Sequence, residues 1–113
     1  MNNKYHAKRT WSGGKVYDSK KEANRAFELE MLERLGKIKE LKKQVHFVLQ
    51  EGYVNKHGKK IRPITYIADF TYVEDGVLVV EDVKGGIATQ TEVFKIKRKI
   101  LEYKYPDIEF RVS

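Results

Sequence analysis

The chain has 113 residues, 41% of them hydrophobic, and carries 23 Lys and Arg against 16 Asp and Glu, a net charge of +7. That size and apolar content predict one domain over residues 1–113 with a modest core, and exclude wholesale disorder. The lack of any cysteine excludes a disulfide scaffold, a zinc ribbon and a thiol nucleophile, and the positive excess favours nucleic acid over a basic membrane surface as partner.

Residues 5–17 read as two short extended pieces joined at Ser12-Gly13-Gly14, a turn signal. No apolar segment follows the start, as a secretory signal would need, and no apolar run approaches the ~18 residues of a membrane-spanning helix, so a cytoplasmic protein is expected. A first helix is predicted from Ser19, which forms a capping-box pattern with Glu22; Ala23, Ala26, Phe27, Met31 and Leu35 recur at helical spacing and Gly36 stands as the C′ residue. Val45, Phe47 and Leu49 alternate as in a half-buried strand, and 52–62 reads as a loop or hairpin tip. Residues 64–73 are rich in β-branched and aromatic types and form a strand. Asp75-Gly76 is a hairpin turn leading to a nearly continuous apolar strand, 77–83, expected to be covered on both faces. After Gly85-Gly86, Thr89 and Glu92 suggest a second capping box, and Val93, Ile96, Ile100 and Tyr103 an apolar stripe on a second helix. Ile108, Phe110 and Val112 alternate in a last strand, completing an α/β domain with a mixed β-sheet flanked by helices, in the core order α-β-β-β-α-β.

The residues that carry chemistry are Asp69, Asp82 and Lys84. A two-residue loop at Asp75-Gly76 pairs residue i with residue 151 − i, which places Asp69 opposite Asp82. Opposed Cβ atoms lie about 4.5–5.5 Å apart, and two carboxylates that close, stripped of water, call for a hard cation with oxygen ligands. Lys84, two residues on, emerges on the face of Asp82. Two carboxylates and an ammonium on one sheet face suit metal-assisted phosphodiester hydrolysis. A three-residue loop would instead oppose Glu81 to Asp69, but Glu81 faces away from Lys84. The bland alternative is a set of strand-end charges with Lys84 paired to Asp82 at the surface.

Glu22 has two competing roles, a reach back to its own N-cap or a third carboxylate for the metal. His6, His46 and His57 lack metal-ligand spacing, and Trp11 and Tyr17 suit core packing better than base stacking. The cations Lys95, Lys97, Arg98 and Lys99 follow the site directly and are candidate phosphate contacts, with Lys20, Lys21, Lys8 and Arg9 beside them.

These residues resemble the PD-(D/E)XK nuclease superfamily: Asp69, then Asp82-Val83-Lys84, with Glu22 on a preceding helix. The likeness is to the branch of small phage- and prophage-encoded proteins related to Holliday junction resolvases. It runs along nearly the whole chain, through Tyr5-His-Ala-Lys-Arg, Tyr17 to Ala23, Tyr66-Ile-Ala-Asp-Phe70, Val80-Glu-Asp-Val-Lys-Gly85 and Tyr105-Pro-Asp. Ala68 stands where the motif name has proline. The resemblance implies a restriction-endonuclease-like fold and a Mg²⁺-dependent endonuclease, with Mn²⁺ as a substitute. Asp69, Asp82 and Glu22 would be the metal ligands, with Glu81 the lesser alternative. Lys84 would position the attacking water or neutralise the phosphate. It further implies branched four-way DNA junctions as substrate, a homodimer, and a bacterial host cell if phage-encoded. The rival readings are a nuclease for flaps, forks or duplex, and a non-catalytic nucleic-acid-binding module on the same scaffold.

Overall fold

The computed structural model describes residues 20–84 and 90–113 in full and the backbone of 10–12 and 15–17. The two short pieces at the start are β1 (Thr10–Ser12) and β2 (Lys15–Tyr17), paired antiparallel. Helix α1 (Lys20–Arg34) follows, and the chain turns at Gly36 with φ 75°. There the Lys37 N–H donates to the Leu32 carbonyl and the Gly36 N–H to the Glu33 carbonyl, the bond pair that closes a helix on a left-handed glycine. Strand β3 (Lys39–Gln50) begins six residues before the alternation that predicts it, inside the basic stretch. The 52–62 segment is a small hairpin of β4 (Tyr53–Val54) and β5 (Lys60–Ile61), its tip held by Asn55 Oδ1, which accepts from the His57 and Lys59 N–H groups. Its cations Lys56, Lys59, Lys60 and Arg62 are exposed.

Strands β6 (Ile64–Glu74) and β7 (Val77–Asp82) form the expected hairpin. Glu74 pairs with Val77, and Asp75 and Gly76 both have positive φ, 52° and 78°, the turn that Asp-Gly favours. Every pair from Glu74–Val77 to Phe70–Glu81 obeys the 151 − i rule. Helix α2 (Glu92–Lys104) then crosses over, and β8 (Glu109–Val112) pairs parallel to β7. The result is a mixed four-stranded sheet, β3-β6-β7-β8, flanked by two helices, in the order α-β-β-β-α-β.

The sheet has a core on each side. Ala23, Ala26 and Leu29 of α1 pack with Ile38, Phe70, Tyr72 and Val79; Phe94 and Leu101 of α2 pack with Leu49, Tyr66, Ala68, Val80 and Phe110. Val79 and Val80 point to opposite faces, as neighbours on a strand must.

Four expectations need correction. Phe27, Met31 and Leu35 are exposed, while Leu29 is fully buried, because α1 meets the sheet through its small residues Ala23 and Ala26 and the row that continues them. On α2 the buried residues are Phe94 and Leu101; Val93, Ile96 and Tyr103 face out and Ile100 packs only partly. The inward side of α2 includes Arg98, whose guanidinium lies 4.5 Å from the Phe110 ring centroid, so a cation occupies a position that hydropathy assigns to solvent. The N-cap of α2 is Thr91, whose Oγ1 accepts from the Phe94 N–H at 3.1 Å; Thr89 lies outside the described residues. Strand β7 is covered on both faces only from Val79 onward, since Val77 and Leu78 sit near the open turn.

Candidate functional site

The β6–β7 pairing ends at Phe70–Glu81; Asp69 and Asp82 stand just beyond it, close enough for their carboxyls to interact. Asp69 Oδ2 accepts from the Val83 N–H at 2.8 Å, which ties the two strands at this point. The Asp69 carboxyl is pushed up to about 7, first by burial, then by the negative charges of Asp82 and Glu22, against the lowering effect of the Val83 N–H. Asp82 is buried and Lys84 Nζ lies 3.2 Å from its Oδ2. Lys84 is held over the Phe94 ring, 4.4 Å from the centroid. The pair is therefore set into the α2 side of the sheet and is not the loose surface ion pair of the bland reading.

Glu22 is buried at the start of α1 and accepts from Gln44 Nε2 at 3.1 Å. Ser19 lies outside the described residues; the bond to Gln44 directs the Glu22 carboxylate across to β3 and β6. The same Gln44 amide nitrogen lies 3.4 Å from Asp69 Oδ1, so one donor links the helix carboxylate to the strand carboxylate. Lys21 Nζ donates to the Lys84 carbonyl, which pins the first turn of α1 beside the end of β7. Glu22, Asp69 and Asp82, from α1, β6 and β7, thus gather at one end of the sheet with Lys84, two residues past the end of β7.

Gln44 gives no signal in the sequence. It stands opposite Asp69, between the pairs Lys43–Phe70 and Val45–Ala68, with φ 52°. A non-glycine residue in the left-handed region costs about 1–3 kcal/mol and persists only where its surroundings hold it. Here β6 passes from one core to the other, with Ala68 in the α2 core and Phe70 in the α1 core, and Asp69 lies between them. Tyr66 also escapes sequence reasoning. Its hydroxyl is buried beside Asp82 with no well-formed hydrogen bond among the described residues, and burial together with the Asp82 charge raises its pKa.

Glu81 is fully buried on the opposite face and committed elsewhere. Arg25 Nε and Nη2 bind its two carboxylate oxygens at 2.5 and 3.0 Å, the Tyr72 hydroxyl donates at 2.5 Å and the Ser113 hydroxyl at 2.7 Å. Burial acts to raise its pKa, but these donors outweigh burial and hold it below the ordinary carboxylate value.

All-oxygen donors on Asp69, Asp82 and Glu22, two of them in electrostatic conflict, fit a hard divalent cation better than a soft one. Among the described residues no group of three or more acidic or imidazole side chains closes into a cage, and the Gln44 amide mediates between Glu22 and Asp69. His46 and His57 are exposed and far apart in sequence. Of the candidate phosphate contacts, Lys20, Lys21, Lys95 and Lys99 are exposed; Lys97 is half-buried, and Arg98 sits between Phe110 and Glu102. Lys8, Arg9 and His6, and the side chains of Trp11 and Tyr17, lie outside the described residues.

The family described as protein of unknown function (DUF1064) matches residues 2–113. The chain belongs to the DUF1064 family. No curated protein and no solved structure matches it significantly. No helix among the described residues is long and apolar enough to cross a membrane.

Proposed function

We propose that this DUF1064 protein is a Mg²⁺-dependent, structure-selective DNA endonuclease of the PD-(D/E)XK type, acting on branched substrates as a junction resolvase. The observation that carries the reading is the proximity of the Asp69 and Asp82 carboxyls just past the end of the β6–β7 pairing, with Lys84 beside Asp82 and Glu22 brought in from α1. Asp69, Asp82 and Glu22 would hold the cation. When bound, such an ion supplies Lewis acidity to a phosphoryl oxygen and lowers the pKa of a coordinated water. Lys84 places its ammonium beside Asp82, where a phosphate would approach, and Gln44 orients two of the carboxylates. The exposed cations of α2 and of the β4–β5 hairpin supply the sequence-independent attraction to a phosphate backbone. A two-fold homodimer would match two cuts to one junction, and Phe27, Met31 and Leu35, exposed along α1, offer a second copy an apolar surface.

The test is cleavage of a four-way junction, a flap and a matched duplex with and without Mg²⁺. Metal-dependent cutting that favours the junction is the expected result. Cutting of flap or duplex in preference would move the substrate, and tight binding with no cutting under Mg²⁺ or Mn²⁺ would make the protein a binding module.

A further inference from the structure

A cavity of about 320 Å³ opens between the first half of β6 and the start of α2. Asp82 and Lys84 are among the residues that line it, so it adjoins the carboxylate site. Tyr66 of β6 and Val93 of α2 line it as well, and Val93 is substantially exposed although neither core accounts for it. Lys97 adds a cation to the wall, and Thr91 a hydroxyl whose oxygen already accepts from the Phe94 N–H, leaving its proton for another acceptor. The cavity is thus apolar on two flanks, cationic at two points, and adjacent to the place where a scissile phosphate would sit.

Its size restricts the occupant. A cavity of about 150 Å³ accommodates one benzene, so this one has room for an aromatic ring with a sugar attached. Phosphate groups alone would not use the apolar flanks of Tyr66 and Val93. A base within a stacked duplex presents no free ring to enter a cavity, and extracting it costs a few kcal/mol, least where the base is already unpaired.

We propose that this cavity receives one unstacked nucleotide next to the scissile phosphate, with its ring between Tyr66 and Val93 and its flanking phosphates at Lys84 and Lys97. The substrate class is therefore DNA with an unpaired or easily splayed nucleotide beside the cut, and branch selectivity resides within each subunit rather than only in the spacing of two. This rests on the nuclease reading for its ligand, but it makes a separate demand on the DNA.

The test uses the full chain and four-way junctions carrying 2-aminopurine at successive positions around the branch, in EDTA so that no cleavage intervenes. Binding should raise the fluorescence several-fold at one position, reporting a base taken out of the stack. Val93→Trp and Val93→Tyr fill the cavity from an exposed position, so thermal midpoints should hold. Each should abolish the rise and cost roughly tenfold in junction affinity, the scale of one base contact, while matched-duplex affinity is unchanged. Bound junction with no rise at any position, or a rise that survives both variants, would overturn the pocket. Cleavage under Mg²⁺ without any rise removes the pocket and leaves the nuclease; a rise without cleavage does the reverse. Failure to bind any DNA removes both.

Discussion

Glu81 and Asp82 are neighbours on β7, both almost fully buried, yet they live in opposite circumstances. Glu81 faces α1 and receives hydrogen bonds from Arg25, Tyr72 and Ser113. Asp82 faces the α2 side, where its partner Lys84 is shared with a ring and its cross-strand neighbour is another carboxylate. A buried charge whose lone pairs are all met is structural; one left in conflict with a second charge is poised for something else. The strand alternation puts the two roles one residue apart.

The largest separation between them is in catalysis. Asp69→Asn and Asp82→Asn should each lower cleavage by about a thousandfold or more, equivalent to ~4 kcal/mol of transition-state stabilisation. DNA binding should persist, and apo stability should hold or rise because a repulsion is relieved. Glu22→Gln separates metal ligation from capping: activity falls with the thermal midpoint nearly fixed if the carboxylate serves the metal, since glutamine caps as well as glutamate. Full activity in Asp69→Asn or Asp82→Asn would end the two-ligand account.

On the Glu81 side the effect is on stability. Arg25→Ala leaves a fully buried carboxylate without its main partner and should cost about 3–5 kcal/mol by urea unfolding. Glu81→Gln should cost less, about 1–3 kcal/mol, because Arg25 is partly exposed and can turn to water. Cleavage per folded molecule should survive both. Loss of activity in Glu81→Gln at full stability would mean that the wrong carboxylate has been assigned to the site.

The sequence makes this division legible only in part. The Asp-Gly turn is a local signal with one favoured geometry, so the register from Glu74–Val77 to Phe70–Glu81, which brings Asp69 and Asp82 to the same end of the hairpin, can be written down from residue numbers alone. Nothing local predicts that β3 lies beside β6, because the β4–β5 hairpin intervenes, and so Gln44 is invisible until the fold brings it to Asp69. The helices mislead for a related reason. Hydropathy favours Val93, Ile96 and Tyr103, but packing selects the row of Phe94 and Leu101, where Arg98 reaches over Phe110.

Acid titration sharpens the contrast by sign. Asp69 is raised to about 7 from its ordinary 3.8, first by burial and then by Asp82 and Glu22, so the folded state holds a proton that the unfolded state has lost. Apo stability should therefore fall as pH rises from about 4 to about 7 and level off above that, by up to a few kcal/mol. Glu81, held below the ordinary value, contributes in the other direction: its stabilisation is present above the unfolded carboxylate pKa and is lost as pH falls through its lowered folded value. Urea midpoints measured across this range should show the Asp69 slope vanish in Asp69→Asn and persist in Glu81→Gln. A slope unchanged in Asp69→Asn would show that the conflict at the site is already relieved.

The smallest effect isolates the backbone that joins the two regions. Gln44 holds φ 52° opposite Asp69 while its amide binds Glu22 and lies near Asp69. Gln44→Gly and Gln44→Ala both delete the amide, but only glycine accepts this conformation without cost. Glycine should therefore be the more stable of the two by about 1 kcal/mol, and by subtraction that difference measures the strain stored at the site. Both variants lose the donor that orients Glu22 and Asp69, so both should cut more slowly, and to the same degree, if the amide is what serves the site. Equal stabilities would mean that the left-handed turn carries no strain. A glycine variant that cuts much faster than the alanine variant would mean that the backbone at 44, rather than the amide, is what sets Asp69 in place.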